Sequence, residues 1–167
     1  QAPRQRAAPT PMAERLVGRR IRVYWAGDEV HYAGVVDSYN AEKRTHSVQY
    51  DDGDFKVYQL VEENWELEAK EDIDYVFDPA GVRSRNGARH DPEMLVGETV
   101  RIFWRADGAW VSGSVIKYDM RMRVHTVAYD DGELLRHCLY WEEFEEPEFT
   151  AAETAVVYGA PQPVAPA

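Results

Sequence analysis

The sequence predicts an all-β protein made of two small five-stranded barrels in tandem, joined by a linker. The first observation behind this is an internal repeat. Residues 16–65 align without a gap onto residues 95–144 at a constant offset of 79, with about 18 of 50 positions identical. The second is local pattern: each copy alternates short β-branched and aromatic runs with turn-rich stretches, and helical periodicity is almost absent. The third is size. A repeat of about 50 residues with its own apolar positions is long enough for a small domain.

The elements follow in chain order. Residues 1–15 are rich in Ala, Pro and Gln and are expected to be disordered or loosely packed. The first barrel is expected over 16–69. Ile21–Trp25 alternates and is stopped by the turn-rich Ala26–Glu29, and Val30–Tyr39 follows, with Gly34 inside it as the expected bulge or tight bend. Ser38–Arg44 reads as a hairpin loop before the strand Thr45–Tyr50. Asp51-Asp52-Gly53 is a tight-turn signal ahead of Phe55–Gln59, and Val61–Leu67 closes the unit with Trp65. Five short strands at this spacing suit a closed or half-closed barrel.

The linker, 70–94, has an acidic first half whose Tyr75, Val76 and Phe77 are expected to strap onto a barrel, and a basic second half, Arg83–His90. The second barrel, 95–146, repeats the pattern as Thr99–Trp104, Trp110–Tyr118, His125–Tyr129 and Leu134–Leu139, with Tyr140–Phe144 last. Residues 147–167 form a Pro/Ala-rich tail. The chain opens on Gln1 and closes on that tract, as expected of a piece cut from a longer protein.

The net charge is −11, with −4 on each repeat, −3 on the linker and +2 on residues 1–15. Acidic units repel phosphate backbones and attract basic, flexible partners such as histone tails. Only Arg83–Arg89 and the group Arg19, Arg20, Arg22 favour nucleic acid. Cys138 is the single cysteine, which excludes an internal disulfide and a multi-cysteine zinc site, and points to a reducing compartment, cytosol or nucleus. No apolar run reaches membrane-spanning length. The sequence holds no phosphate loop, nucleophile elbow or metal-ligand cluster, so no catalysis, cofactor or metal is expected. The carboxylate pairs Asp51/Asp52 and Asp130/Asp131 fall in the same turn of each repeat, which argues for backbone geometry. His46 and His125 occupy equivalent strand positions and read as structural.

Three pieces of the first repeat resemble the Tudor domain of the royal superfamily: Val17-Gly18-x-x-Ile21-x-Val23-Tyr24-Trp25, Tyr32-Ala33-Gly34, and His46–Asp54 with its Tyr-Asp-Asp-Gly turn. The second repeat is similar through Val100–Trp104, Gly113 and Tyr129–Glu133, so the resemblance covers about 100 of 167 residues. It implies SH3-like (Tudor) barrels and a nuclear, chromatin-associated, monomeric reader of methylated lysine on a histone tail, H3 ahead of H4. Carried over by position, the aromatic cage of the first repeat is Trp25, Tyr32, Tyr50 and Asp52, with Asp54 at its rim. Family members often have an aromatic residue at position 54, so Phe55 is the candidate additional wall.

In the second repeat Val111 stands where the first has Tyr32, and Trp110 comes one residue early, a shift that turns its ring to the opposite face. Trp104, Tyr129 and Asp131 are left as a degenerate second cage. The alternatives are a methyl-arginine reader, disfavoured because such cages present Asn where this chain has Asp52, and a modification-independent interaction scaffold. Interlaced strands occur in this superfamily, but the self-contained strand set of each repeat favours separate barrels.

Overall fold

The computed structural model describes residues 12–146; the rest of the expected N-terminal segment and the tail lie outside the described residues. The first repeat forms β1 (Arg20–Trp25), β2 (Val30–Asn40), β3 (Thr45–Tyr50), β4 (Phe55–Tyr58) and β5 (Trp65–Leu67). They pair antiparallel in the order β4-β3-β2-β1-β5. In β1 the buried Ile21 and Val23 alternate with half-buried Arg20, Arg22 and Tyr24, the period expected when one face meets a core. The Asp51–Asp54 turn closes as its residues demand. Asp52 accepts the Asp54 backbone N–H at 2.9 Å, and Gly53 takes a left-handed φ of 95°.

Gly34 corrects an expectation. The β2–β3 register slips between Val36 and Ser38, so the bulge lies beyond Gly34. What Gly34 provides is close approach: a Cβ there would stand 2.6 Å from the Gln49 carbonyl oxygen and 2.9 Å from Tyr50 Cα, both backbone atoms of β3. Gly34→Ala is therefore expected to destabilise the protein by about 1–3 kcal/mol, read as a lower midpoint in urea denaturation.

The linker contains a short helix, α1 (Ile73–Val76), and a ribbon of β6 (Val82–Arg83) with β7 (Arg89–His90). The second repeat forms β8 (Thr99–Trp104), β9 (Ala109–Asp119), β10 (Val124–Tyr129), β11 (Leu134–His137) and β12 (Phe144–Glu145), in the order β11-β10-β9-β8-β12. Both five-stranded sheets thus share one topology, and each draws its strands from a single repeat.

The cores do not divide as the sheets do. One cluster joins Ile21, Val23, Val36, Val48 and Leu60 of the first repeat to Val76 and Phe77 of the linker and to Cys138 and Trp141 of the second repeat. Trp141 lies 5.1 Å from His46, 5.9 Å from Trp65 and 5.8 Å from Phe77, ring centre to ring centre, and is stacked on the last. A unit this small buries too little surface alone, and the segment expected to close the second barrel completes the core of the first. Burial also pushes the Cys138 thiol up, keeping it neutral.

Two further expectations change. Ala13 and Leu16, on the turn Met12–Leu16, are wholly buried in the same cluster, so the loosely packed N-terminal segment does not extend to residue 15. Of the linker strap, Val76 and Phe77 are buried as expected. Tyr75 is instead exposed, with the Arg15 and Arg19 guanidinium groups 5.3 and 4.5 Å from its ring centre.

Candidate functional site

Antiparallel register brings the expected rings of the first repeat together. Val23 pairs with Tyr32 across β1 and β2, so Tyr32 shares the face of Val23 and of Trp25 two residues on. Gly34 pairs with Tyr50 across β2 and β3, and its missing side chain lets the Tyr50 backbone come close. The Trp25 ring centre is 5.3 Å from that of Tyr32 and 5.6 Å from that of Tyr50, both edge-on, an arrangement favoured by the ring quadrupoles.

The three rings differ in role. Tyr50 is 4% exposed and is fixed at its hydroxyl, which accepts the Trp25 Nε1–H at 3.0 Å and meets the Tyr58 hydroxyl at 2.7 Å. It is the floor. Tyr32 is 37% exposed, and its hydroxyl donates to Asp28 Oδ2 at 2.8 Å. That hydrogen bond, with burial and the charges of Asp28 and Asp52, raises the Tyr32 phenol above its ordinary range. Lys56 Nζ stands 5.5 Å from the Trp25 ring centre, so the exposed side of the cluster already faces a cation.

Asp52 and Asp54 are exposed, and both serve the turn: Asp52 caps it, and the Asp54 carbonyl accepts the Tyr50 N–H at 2.8 Å. Phe55 is not brought to the cluster. It pairs with Gln49, one residue short of Tyr50, so alternation turns its ring to the other face, where it is 49% exposed. Sequence reasoning missed Asp28 and Tyr58. Asp28 stands in the turn after Trp25, within four residues of Tyr32. Tyr58 shares the inner face of its hairpin with Tyr50, and burial and that hydroxyl contact push its phenol up.

In the second repeat Trp104 and Tyr129 also meet, with ring centres 6.0 Å apart. Trp110 packs on Phe103 at 5.2 Å, across β8–β9 from it and on the face opposite Trp104. Asp131 only caps its turn, accepting the Glu133 N–H at 2.9 Å. The third ring is unexpected: His137, the counterpart of Tyr58, lies 5.7 Å from Trp104, and its Nε2 meets the Tyr129 hydroxyl at 2.8 Å. Among the described residues no group of three or more His, Cys, Asp or Glu could hold a metal ion.

Fold and cluster together define a small all-β module that presents aromatic rings and carboxylates at one end of a five-stranded sheet. No family model matches the chain. Over 54 residues it is 48% identical to the sister chromatid cohesion protein PDS5 homolog D of Arabidopsis thaliana, and over 52 residues 50% identical to PDS5 homolog C. These stretches are 32% and 31% of this chain, which spans only about 6% of the length of either relative. Among solved structures it is similar to the Arabidopsis RDM15 tudor domain, crystallised in complex with an H3K4me1 peptide. The identity is 48%, covering 32% of this chain and 93% of that one, with a TM-score of 0.32. Through this third of its length the chain belongs to the Tudor domains of the royal superfamily.

Proposed function

We propose that the chain is a nuclear, chromatin-associated tandem Tudor protein that binds a methylated lysine of a histone tail at Trp25, Tyr32 and Tyr50. In this reading each five-stranded sheet curls into a Tudor barrel, and the first barrel is the reader. The observation that carries it is the cluster itself: a buried, hydrogen-bonded floor, an indole wall, and an exposed Tyr32 held by Asp28. The relation to the RDM15 tudor domain, solved with an H3K4me1 peptide, supports H3 as the tail.

The chemistry follows from what methylation does. A methylated ammonium has fewer N–H donors and more apolar surface than lysine, so water solvates it less well. Aromatic faces touch the methyl groups and attract the cation by about 0.5–2 kcal/mol per ring. The carboxylates add attraction and accept any remaining N–H. With little else to bind, the affinity is on the order of micromolar to hundreds of micromolar.

The test is calorimetry with H3 tail peptides, unmodified and methylated at single lysines. Tyr32 is exposed, so Tyr32→Ala is expected to weaken methyl-dependent binding at least tenfold without lowering the melting temperature, and Trp25→Ala to abolish it. Binding that ignores methylation, or that survives Tyr32→Ala undiminished, would remove the reading and favour an interaction scaffold.

A further inference from the structure

The rings of the second repeat are not vacant. Arg44, from the β2–β3 hairpin of the first repeat, reaches across and places its guanidinium carbon 5.1 Å from the Trp104 ring centre. Its Nη2 donates to His137 Nδ1 at 2.8 Å and its Nε donates to Glu142 Oε2 at 2.9 Å. The recess is closed around it: the Arg44 and Glu142 side chains are 16% and 11% exposed, and His137 is fully buried.

Each wall suits a guanidinium. Trp104 offers a π face to the planar cation, and Glu142 supplies the countercharge. Against the desolvation that opposes it, the Glu142 carboxylate is held below its usual range, with the Arg44 guanidinium as its charged partner. Burial and the Arg44 charge keep the His137 ring neutral, which leaves Nδ1 free to accept from Arg44 while Nε2–H donates to the Tyr129 hydroxyl. The rest of the surroundings agree, since Nη2 also lies 3.4 Å from the Arg136 carbonyl oxygen.

The repeat shows that this is a built contact. Arg44 matches Arg123 at the offset of 79, and both take the same left-handed φ of 58° at the end of their hairpins. Loop geometry is therefore common to both, yet the two arginines find different partners: Arg123 lies over Phe77 of the linker at 4.6 Å, whereas Arg44 meets rings and a buried carboxylate. On the receiving side, Glu142 and His137 match Glu63 and Tyr58. Glu63 is in no ion pair among the described residues, so only in the second unit is this carboxylate paired with an arginine.

We propose that Trp104, His137 and Glu142 form a guanidinium-binding site whose occupant in this chain is Arg44, and which takes an exogenous guanidinium, such as a peptide arginine, when Arg44 is withdrawn. Filled in cis, the site reads nothing, and it ties the first unit's hairpin to the second unit. The inference does not depend on methyl-lysine binding at Trp25.

The test uses the whole chain and the indole N–H resonances of its tryptophans, with N-ethylguanidinium as the probe and uncharged N-ethylurea as the control. In the wild type Trp104 is expected not to respond to either. In Arg44→Ala its resonance is expected to move saturably with ethylguanidinium, at least tenfold further than in the wild type, and not with ethylurea. A folded Arg44→Ala whose Trp104 ignores ethylguanidinium overturns the site. If that variant does not fold, Arg44→Lys, which keeps a charge but loses the planar fork, takes the same titration with the same two outcomes. Occupancy is read in the wild type alone: the Arg44 Nε–H is expected to exchange with solvent at least tenfold more slowly than that of exposed Arg121, and equal rates would overturn it.

Discussion

Acidification from pH 7 to pH 4 is expected to remove most of the stability of this protein, through two histidines. His46 and His125 are both fully buried, and burial lowers each to about 4. In each, Nε2–H donates to a backbone carbonyl, that of Ala13 at 2.9 Å for His46 and that of Pro92 at 2.8 Å for His125. The other ring nitrogen, Nδ1, has no partner in either residue. Protonation would put a charge and an unsatisfied donor in the core, so the folded state holds both rings neutral.

The sign follows from that. An unfolded chain takes up a proton at each histidine as the pH falls through 6.5, and the folded chain refuses it until about 4. The stability these rings contribute is complete above 6.5 and is lost between 6.5 and 4, at about 1.4 kcal/mol per pH unit for each. Over that window the loss is about 3 kcal/mol per histidine, set against a total of about 5–15 kcal/mol for a typical domain. Asp51, drawn down by its hydrogen bonds to Arg20, and Glu142 move stability in the same direction. Melting temperatures followed by circular dichroism should fall steeply below pH 6. A melting temperature constant from pH 7 to pH 4.5 would show that the rings are not buried neutral.

Much of this architecture was legible because it is local. Period-two alternation gave nearly every strand of both sheets, and Asp-Asp-Gly gave both hairpin turns, since such features depend on neighbours in sequence. The resemblance to Tudor domains singled out Trp25, Tyr32 and Tyr50, and register alone brings them into ring contact. What stayed hidden is what joins the repeats. Trp141 has Glu62 as its counterpart, so the alignment offered no aromatic partner by which to read it, although that mismatch was itself the available signal. Arg44 and Arg123 are identical in the alignment and differ only in what the surrounding fold puts before them. Gly34 was misread for a similar reason: a glycine within a strand signals a bulge or a close approach, and the choice depends on a neighbouring strand.

Trp141→Ala is expected to have the largest effect of any single substitution in the shared core, a loss of about 3–5 kcal/mol. Trp141 is buried and packs against three rings from two other parts of the chain: His46 and Trp65 of the first repeat and Phe77 of the linker. Truncation leaves a cavity that those rings cannot fill, because each is held elsewhere, His46 by the Ala13 carbonyl and Trp65 by its place in β5 beside Val23. The second effect separates this residue from an ordinary core tryptophan. Since it belongs by sequence to one repeat and by packing to the other, its loss should uncouple the two units. The wild type is then expected to unfold in urea as one transition by both tryptophan fluorescence and far-ultraviolet circular dichroism. In Trp141→Ala the transitions should separate, the first repeat unfolding earlier because it has lost part of its core. Two separate transitions in the wild type would mean that the shared cluster does not couple the sheets, and the variant would then report only local packing. The cost of truncating a buried indole is general; the split into two transitions follows only if the core shared around that indole is the main coupling between the two sheets.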